Sequence, residues 1–163
     1  MDIEQLSEFL TRAREKCSYE APGEPGKTPL PDESTQIGPY TEGPLSYIDI
    51  YNGYHWFNGR EEIAENGIAV WRRDYKGGII EIGYDRDEVM KLFNALKAAL
   101  RLFPKDRPFE RGPHYVKVDV YNYYNKCKGD ISAFTGKEKI TFGRKQIYIC
   151  KYRGGLIETP STT

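Results

Sequence analysis

LSYIDIYNGYHWFNGREEIAENGIAVWRRDYKGG, residues 45–78, contains three runs of alternating polarity separated by turn residues. In the first run, Ile48 and Ile50 alternate with aromatic and acidic residues, which is the two-residue period of a β-strand. The dipeptide Asn66-Gly67 is a strong hairpin signal, because both residues tolerate positive φ. The stretch therefore predicts three antiparallel strands: Leu45 to Tyr51, Phe57 to Glu65 and Ile68 to Tyr75.

Parts of this stretch return later in the chain, in the same order. Three pairs of blocks carry the similarity. They are Tyr47 to Asn52 with Lys117 to Asn122, Phe57-x-Gly59-x-Glu61-x-Ile63 with Phe134-x-Gly136-x-Glu138-x-Ile140, and Val70-Trp71 leading to Tyr75-x-Gly77-Gly78 with Ile147-Tyr148 leading to Tyr152-x-Gly154-Gly155. Repeated blocks in one order indicate an internal duplication, and the join between two copies is a natural place for a cleft. We therefore expect two repeats, at about residues 2–83 and 85–157.

Each proposed repeat begins with an amphipathic helix. Residues 2–17 carry an apolar stripe, and Asp85 with Glu88 forms a capping box for a second helix that Pro104 ends. Three more strands are predicted after it: about Tyr115 to Tyr121, Ala133 to Phe142 and Gln146 to Tyr152, with a polar turn from Asn122 to Ser132. The predicted fold class is α+β: a duplicated helix plus three-stranded antiparallel unit (α-βββ-α-βββ) with a pseudo-twofold, in a single domain of residues 1–163.

Two segments lack a regular pattern. Residues 21–44 hold six of the ten prolines and four glycines, which predicts an irregular segment, either a disordered linker or a loop over a site. The tail, residues 158–163, is polar, and we expect it to be frayed.

Composition excludes several classes of function. The formal net charge is zero, from 24 basic and 24 acidic residues, which argues against nucleic acid or anionic lipid as a direct partner. No apolar run approaches the roughly 20 residues of a membrane span. The start lacks the order of a signal peptide, and the three cysteines form no close pair, so we expect a cytoplasmic protein without metal or cofactor.

Repeated carboxylates are the residues that fit a simple core least well. Glu61 and Glu138 fall on the apolar sides of their strands, where a carboxylate must be paired, hydrogen-bonded or protonated. Each is either a structural group held by a tyrosine hydroxyl or an arginine such as Arg73, or a ligand-facing or catalytic acid. Asp49 and Asp119 lie among tyrosines, on either a solvated outer face or a functional one.

Acids repeated among aromatic rings favour a non-enzymatic small-molecule-binding or sensor module, with an acidic, aromatic cleft between the repeats. The ligand would be cationic or aromatic, and no catalytic residue is assigned. The candidate ligand-binding residues are Tyr47, Asp49, Tyr51, Glu61, Trp71, Tyr75, Asp119, Tyr121, Glu138, Tyr148 and Tyr152.

Two other functions stay open. The tyrosine-rich strand face or the proline-rich segment could dock a protein partner in a regulatory module. A glutamate with a raised pKa could serve a hydrolase.

Several motifs together resemble a bacterial domain family of unknown function, over roughly Leu6 to Gly155. They are Phe9-Leu10-x-x-Ala13, Tyr47-x-Asp49-x-Tyr51, Phe57-x-Gly59-x-Glu61, Gly67-x-x-Val70-Trp71-x-x-x-Tyr75-x-Gly77 and Arg111-Gly112-Pro113. Members of that family are found alone or after helix-turn-helix regions in proteins described as transcriptional regulators. The resemblance implies an effector or sensor role and brings no established site residue with it.

Overall fold

The computed structural model describes residues 1–23 and 25–158. Within these residues the chain forms two helices and nine strands. In chain order they are α1 (Ile3–Cys17), β1 (Lys27–Pro29), β2 (Thr35–Glu42), β3 (Leu45–Gly53), β4 (Trp56–Glu65), β5 (Ile68–Ile79), α2 (Arg86–Leu100), β6 (Tyr115–Val118), β7 (Tyr121–Asp130), β8 (Ala133–Phe142) and β9 (Lys145–Leu156).

Both helices begin directly after a capping aspartate, and the sequence predicts the one that precedes α2. The Asp2 side chain accepts a hydrogen bond from the Glu4 backbone N–H at 3.2 Å, and α1 starts at the next residue, Ile3. Asp85 and Glu88 form the expected reciprocal capping box of α2. Each helix buries an apolar stripe, formed in α1 by Leu6, Phe9, Leu10 and Ala13. The predicted start of α2 after Asp85 is therefore confirmed, and α1 begins one residue after the predicted position 2.

All nine strands belong to one antiparallel sheet, in the order β1-β2-β3-β4-β5-β9-β8-β7-β6. The centre of the sheet is the pairing of β5 with β9, which sets Tyr75 opposite Tyr152 and Lys76 opposite Lys151. Helix α1 packs against β2 and β3, and α2 packs against β6 and β7. The helices and the inner face of the sheet thus enclose the core, while the outer face stays in solvent.

The predicted fold class is wrong. The structure is a single nine-stranded antiparallel sheet with two helices, about half of its residues are in strands, and it is no duplicated α-βββ unit. Five strands follow α1 and four follow α2. The additional strands arise where the sequence predicts loops.

Residues 21–44 contain the first of these strands. β2 pairs with β3 over most of its length, and the short β1 pairs with β2, so the expectation of a wholly irregular segment is wrong. A second error concerns residues 115–132, where a turn at Asp119 and Val120 separates β6 from β7. β7 occupies most of the stretch predicted as a polar turn, because its partner β8 satisfies its backbone groups. Of the predicted frayed tail, all but Glu158 lies outside the described residues.

In the middle of β3 the polar side chains face the core and the apolar side chains face outward, which reverses the usual distribution. Tyr47 and Asp49 are buried on the inner face, whereas Ile48 and Ile50 lie half-buried on the outer one. A solvated outer position for Asp49, one of the two interpretations of the sequence, is therefore wrong. No helix among the described residues is long and apolar enough to cross a membrane.

Candidate binding site

A cavity of about 260 Å³ lies between the inner face of β3–β5 and one face of α2. Exposed residues, among them Tyr54, Met90 and Asn94, surround its mouth. Its floor is formed by buried charged side chains: Arg14, Asp49, Glu61, Arg73 and Arg111. A concave site that combines aromatic walls with convergent polar groups is a usual form of a small-molecule pocket.

Arginines neutralise most of the carboxylates beneath the cavity. Of the five buried carboxylates among the described residues, four are ion-paired with arginine: Glu20 with Arg14, Glu61 with Arg73, Glu110 with Arg107 and Glu138 with Arg111. These pairs lie at 2.5–2.7 Å between nitrogen and oxygen. Such close pairing offsets the cost of removing the charges from water.

Asp49 is the exception. It is 2% exposed, and its Oδ1 accepts a hydrogen bond from the Tyr75 hydroxyl at 2.6 Å. Asp49 takes part in none of the arginine–carboxylate pairs named above. Burial, reinforced by the nearby carboxylate of Glu61 and opposed by the charge of Arg111, raises the pKa of Asp49 well above its ordinary value. The floor of the cavity therefore contains a carboxyl group outside the arginine ion pairs.

Asn125 shows the neutral alternative to this arrangement. Asp49 lies opposite Glu61 on the neighbouring strand, and Asn125 lies opposite Glu138 in the same way. The Tyr152 hydroxyl donates to Asn125 Oδ1 at 2.7 Å, as that of Tyr75 donates to Asp49. The Asn125 amide is satisfied by backbone and side-chain acceptors, including the Gly112 carbonyl at 2.8 Å. An amide can thus occupy such a position without burying a charge. The acid at position 49 is therefore a functional candidate.

Aromatic rings form the walls of the cavity. Phe57 contacts Tyr75 and Phe93 at ring-centroid distances of 6.0 and 6.3 Å, both edge-to-face. Tyr19 meets Tyr51 edge-to-face at 6.4 Å. These rings offer apolar surface and negative ring faces next to the buried acid, a combination that suits a flat organic cation.

A family model for a domain of unknown function, DUF5680, matches residues 49–157. The chain belongs to this family. The matched range includes Asp49, the cavity face of α2 and Arg111, and it leaves out Arg14 and Glu20. No curated protein and no solved structure matches the chain.

In this DUF5680 domain, four of the predicted ligand-binding residues line the cavity: Asp49, Tyr51, Glu61 and Tyr75. All four come from β3, β4 and β5. The other lining residues include six from α2 and, from the segment between α2 and β6, Arg111. The cavity thus lies between β3–β5 and α2, on one side of the sheet.

The other predicted residues lie elsewhere. Trp71 is buried in the core, where its indole N–H donates to the Ile131 carbonyl at 3.0 Å. Asp119 is exposed in the turn between β6 and β7, with φ at 55°. The remaining five residues, which are buried and line no part of this cavity, are Tyr47, Tyr121, Glu138, Tyr148 and Tyr152.

Glu61 and Glu138 have the structural environment that the sequence left as one alternative. Glu61 accepts two hydrogen bonds from Arg73, at 2.5 and 2.8 Å, and one from the Tyr47 hydroxyl at 2.6 Å. Burial opposes ionisation, but the Arg73 charge prevails and lowers the pKa of Glu61 to about 2. Glu138 is held by Arg111 and the hydroxyl of Tyr123. A general acid needs a raised pKa, so Glu61 is unsuited to that role at neutral pH.

Sequence reasoning missed the helical wall of the cavity. Met90, Phe93, Asn94 and Lys97 fall at spacings of three and four residues, so they share one face of α2 beside its core stripe. That periodicity was available in the sequence. Arg111 was not predictable in this way, because it reaches the cavity only through the packing of its loop: the Arg14 guanidinium donates to the Arg111 carbonyl at 2.7 Å.

The described residues contain no group of three or more histidine, cysteine, aspartate or glutamate side chains placed to hold a metal ion.

Proposed function

We propose that this DUF5680 domain is a small-molecule-binding module whose ligand is a flat organic cation. The observation that carries the proposal is Asp49, a buried carboxyl group outside the arginine ion pairs, at the floor of a cavity with aromatic walls. A ligand ammonium or amidinium group would supply the missing counter-charge, and the ring walls would hold its apolar body.

The size of the cavity limits the ligand. About 260 Å³ is at the lower end of the range for ligand pockets, so one or two fused rings with a short basic arm are expected to fit. The Asp49 carboxyl accepts a hydrogen bond from the Tyr75 hydroxyl, and the Tyr75 ring contacts Phe57 edge-to-face. A ligand would therefore place its cationic end at Asp49 and its rings against these aromatic side chains.

Binding should be coupled to proton release. Because the pKa of Asp49 is raised in the free protein, a cation that requires the ionised carboxylate displaces its proton. The affinity for a permanently charged ligand should then increase with pH until Asp49 is already ionised in the free protein. A ligand that binds away from Asp49 would show no such dependence.

The test is calorimetry with defined probes. Tryptamine, tyramine and benzamidine are titrated into the wild-type domain, with 3-methylindole and toluene as uncharged controls, in two buffers of different ionisation enthalpy. We expect at least one cationic probe to bind with proton release, and the uncharged controls to bind at least tenfold more weakly. Hydrogen exchange should show added protection of the α2 segment at residues 90–97.

Asp49→Asn is the decisive variant, because Asn125 demonstrates that an amide is compatible with these surroundings. We expect it to fold, to lose most of the affinity for the cationic probe and to abolish the proton release. Asp74→Asn, which removes an exposed acid from the outer face of β5, is the matched control and should leave binding unchanged. Equal binding by Asp49→Asn and wild type would refute the counter-ion role.

The inward orientation of the tyrosines supports a ligand rather than a docked protein. Tyr47, Tyr75 and Tyr148 are buried, so these three rings are not exposed to a protein partner. The similarity to domains that follow helix-turn-helix regions suggests that binding serves a sensor, with α2 as the element that the ligand ties to the sheet.

A further inference from the structure

A row of four lysines crosses the outer face of the sheet. Lys76, Lys151, Lys137 and Lys126 lie directly opposite one another on the adjacent strands β5, β9, β8 and β7. At about 4.8 Å between neighbouring strands, the row spans about 14 Å. All four side chains are exposed.

The row of lysines destabilises the folded protein when no anionic partner is bound. Like charges directly opposite each other on neighbouring strands repel, and the row contains three such pairs in succession. None of the four lysines forms an ion pair with a described residue. A polyanion lying along the row would relieve the repulsion.

The charge around the row is strongly uneven, although the chain as a whole is neutral. An open groove of about 800 Å³ follows the row and is also lined by Lys128 and Arg153, while Asp74 is the acid in its lining. The expectation that nucleic acid is no partner rests on net charge alone. That average hides a groove whose lining contains six cationic side chains and one acid.

A second row, two residues further along the strands, adds aromatic rings. It places Trp56 on β4, Lys139 on β8, Tyr124 on β7 and Tyr115 on β6, in register with one another through the intervening strands. The Tyr115 and Tyr124 rings lie 5.1 Å apart, and Lys139 Nζ lies 5.0 Å from the centre of the Tyr124 ring. Trp56, Tyr115 and Tyr124 are 45%, 52% and 36% exposed, so their rings are accessible to a partner.

We propose that this outer face binds single-stranded RNA. The lysine row would contact consecutive phosphates, and unpaired bases would stack on Tyr124, Tyr115 and Trp56 about 7 Å away. A sheet face that combines exposed rings with cations is a known form of single-strand recognition. Asn58 and Thr135, which flank the lysines, offer hydrogen-bond partners to a ribose 2′-hydroxyl.

An extended acidic polypeptide matches the lysines but leaves the aromatic row without a role. A duplex would keep its bases stacked and out of reach of the rings. The observations therefore favour the single strand. The site lies on the face of the sheet opposite the Asp49 cavity, so this inference is independent of the proposed ligand.

The test is fluorescence anisotropy with a labelled 12-nucleotide single-stranded RNA of mixed sequence and the full chain, at 50–300 mM salt. Four phosphate contacts predict a slope of roughly −3 in log affinity against log salt. The double variant Lys137→Glu/Lys151→Glu should weaken binding at least tenfold and roughly halve the slope. Tyr124→Ala should weaken binding about tenfold with little change in slope, because it removes stacking and no charge.

The matched control is Arg86→Glu/Lys91→Glu on α2, which changes the net charge by the same amount on another surface. We expect it to leave RNA binding within about twofold of wild type; an equal loss in both double variants would overturn the proposal. The charge reversals Lys137→Glu/Lys151→Glu remove repulsion between lysines, so melting curves should show that this variant folds. Lys137→Gln/Lys151→Gln, which removes the two charges without reversing them, should weaken RNA binding less.

Four further results would overturn the assignment: no RNA binding at 50 mM salt, equal affinity for a DNA strand of the same sequence, stronger binding of the duplex, or displacement of the RNA by polyglutamate at equal charge concentration.

Discussion

Two salt bridges on the same pair of strands allow a direct comparison of buried and exposed charge. In the β4–β5 ladder, Glu61 lies opposite Arg73 and Glu62 lies opposite Arg72, so the pairs share their backbone and differ in face. The first is almost fully buried, with its closest atoms 2.5 Å apart. In the second, the side chains are 38% and 23% exposed and 3.1 Å apart. We predict that Arg73→Met destabilises the protein strongly and that Arg72→Met does not.

The magnitude follows from what each variant leaves behind. Without Arg73, the Glu61 carboxylate stays buried with only the Tyr47 hydroxyl, and the Phe109 carbonyl loses its donor. Breaking a buried pair in this way costs about 3–5 kcal/mol, whereas an exposed pair contributes about 0–1 kcal/mol. At about 2–4 °C per kcal/mol for a chain of this size, Arg73→Met should lower Tm by roughly 6–20 °C and Arg72→Met by no more than about 4 °C.

The dependence on pH gives a second signature. The pKa of Glu61 is about 2 in the fold and about 4.5 ordinarily, so its stabilising contribution is present above pH 4.5 and is lost as pH falls towards 2. In Arg73→Met, burial without the guanidinium raises the pKa of Glu61. The stability gap between wild type and Arg73→Met should therefore narrow as pH falls from 7 to 4.

Urea denaturation of wild type, both single variants and Glu61→Gln/Arg73→Met provides the assay. The double variant should recover part of the loss, because it leaves no buried charge unpaired, and it keeps the test valid if Arg73→Met fails to fold. A loss for Arg73→Met no larger than for Arg72→Met, or a gap that widens in acid, would refute the reasoning.

Two further predictions concern Asp49 and the glycines. Because the pKa of Asp49 is raised, the folded protein keeps a proton that the unfolded chain loses above pH 3.8, and its stability falls as pH rises. Asp49→Asn should therefore be more stable than wild type at neutral pH. In urea denaturation this difference in stability should grow with pH and disappear near pH 3.8. A wild type that is at least as stable at pH 8 would contradict this. A Cβ on Gly136 would lie 2.1 Å from Tyr152 Cζ, so Gly136→Ala should cost about 1–3 kcal/mol, while Gly26→Ala, with nothing within 4 Å, should leave Tm within a degree or two. Equal melting temperatures for the two alanine variants would show that the Tyr152 ring moves aside without cost.

The sequence alone determined the local elements. The apolar stripe of residues 2–17 predicted α1, the capping box of Asp85 and Glu88 predicted the start of α2, Asn66-Gly67 predicted a hairpin, and the alternation of residues 133–142 predicted β8 with its observed bounds. These signals depend on neighbours within a few positions along the chain. They are therefore readable without knowledge of the fold.

The tertiary structure alone decided which face of β3 is buried and which acid is left without a partner. Glu138 is neutralised by Arg111, 27 positions away, and Arg14 fixes the Arg111 backbone across 97 positions. Such pairings bury polar side chains that local patterns assign to solvent. Whether a charged side chain can be buried depends on where the fold places its oppositely charged partner. The sequence names Asp49 among eleven candidates, but only the structure shows that it lies outside the arginine ion pairs that hold the other buried carboxylates, and no local pattern contains that information.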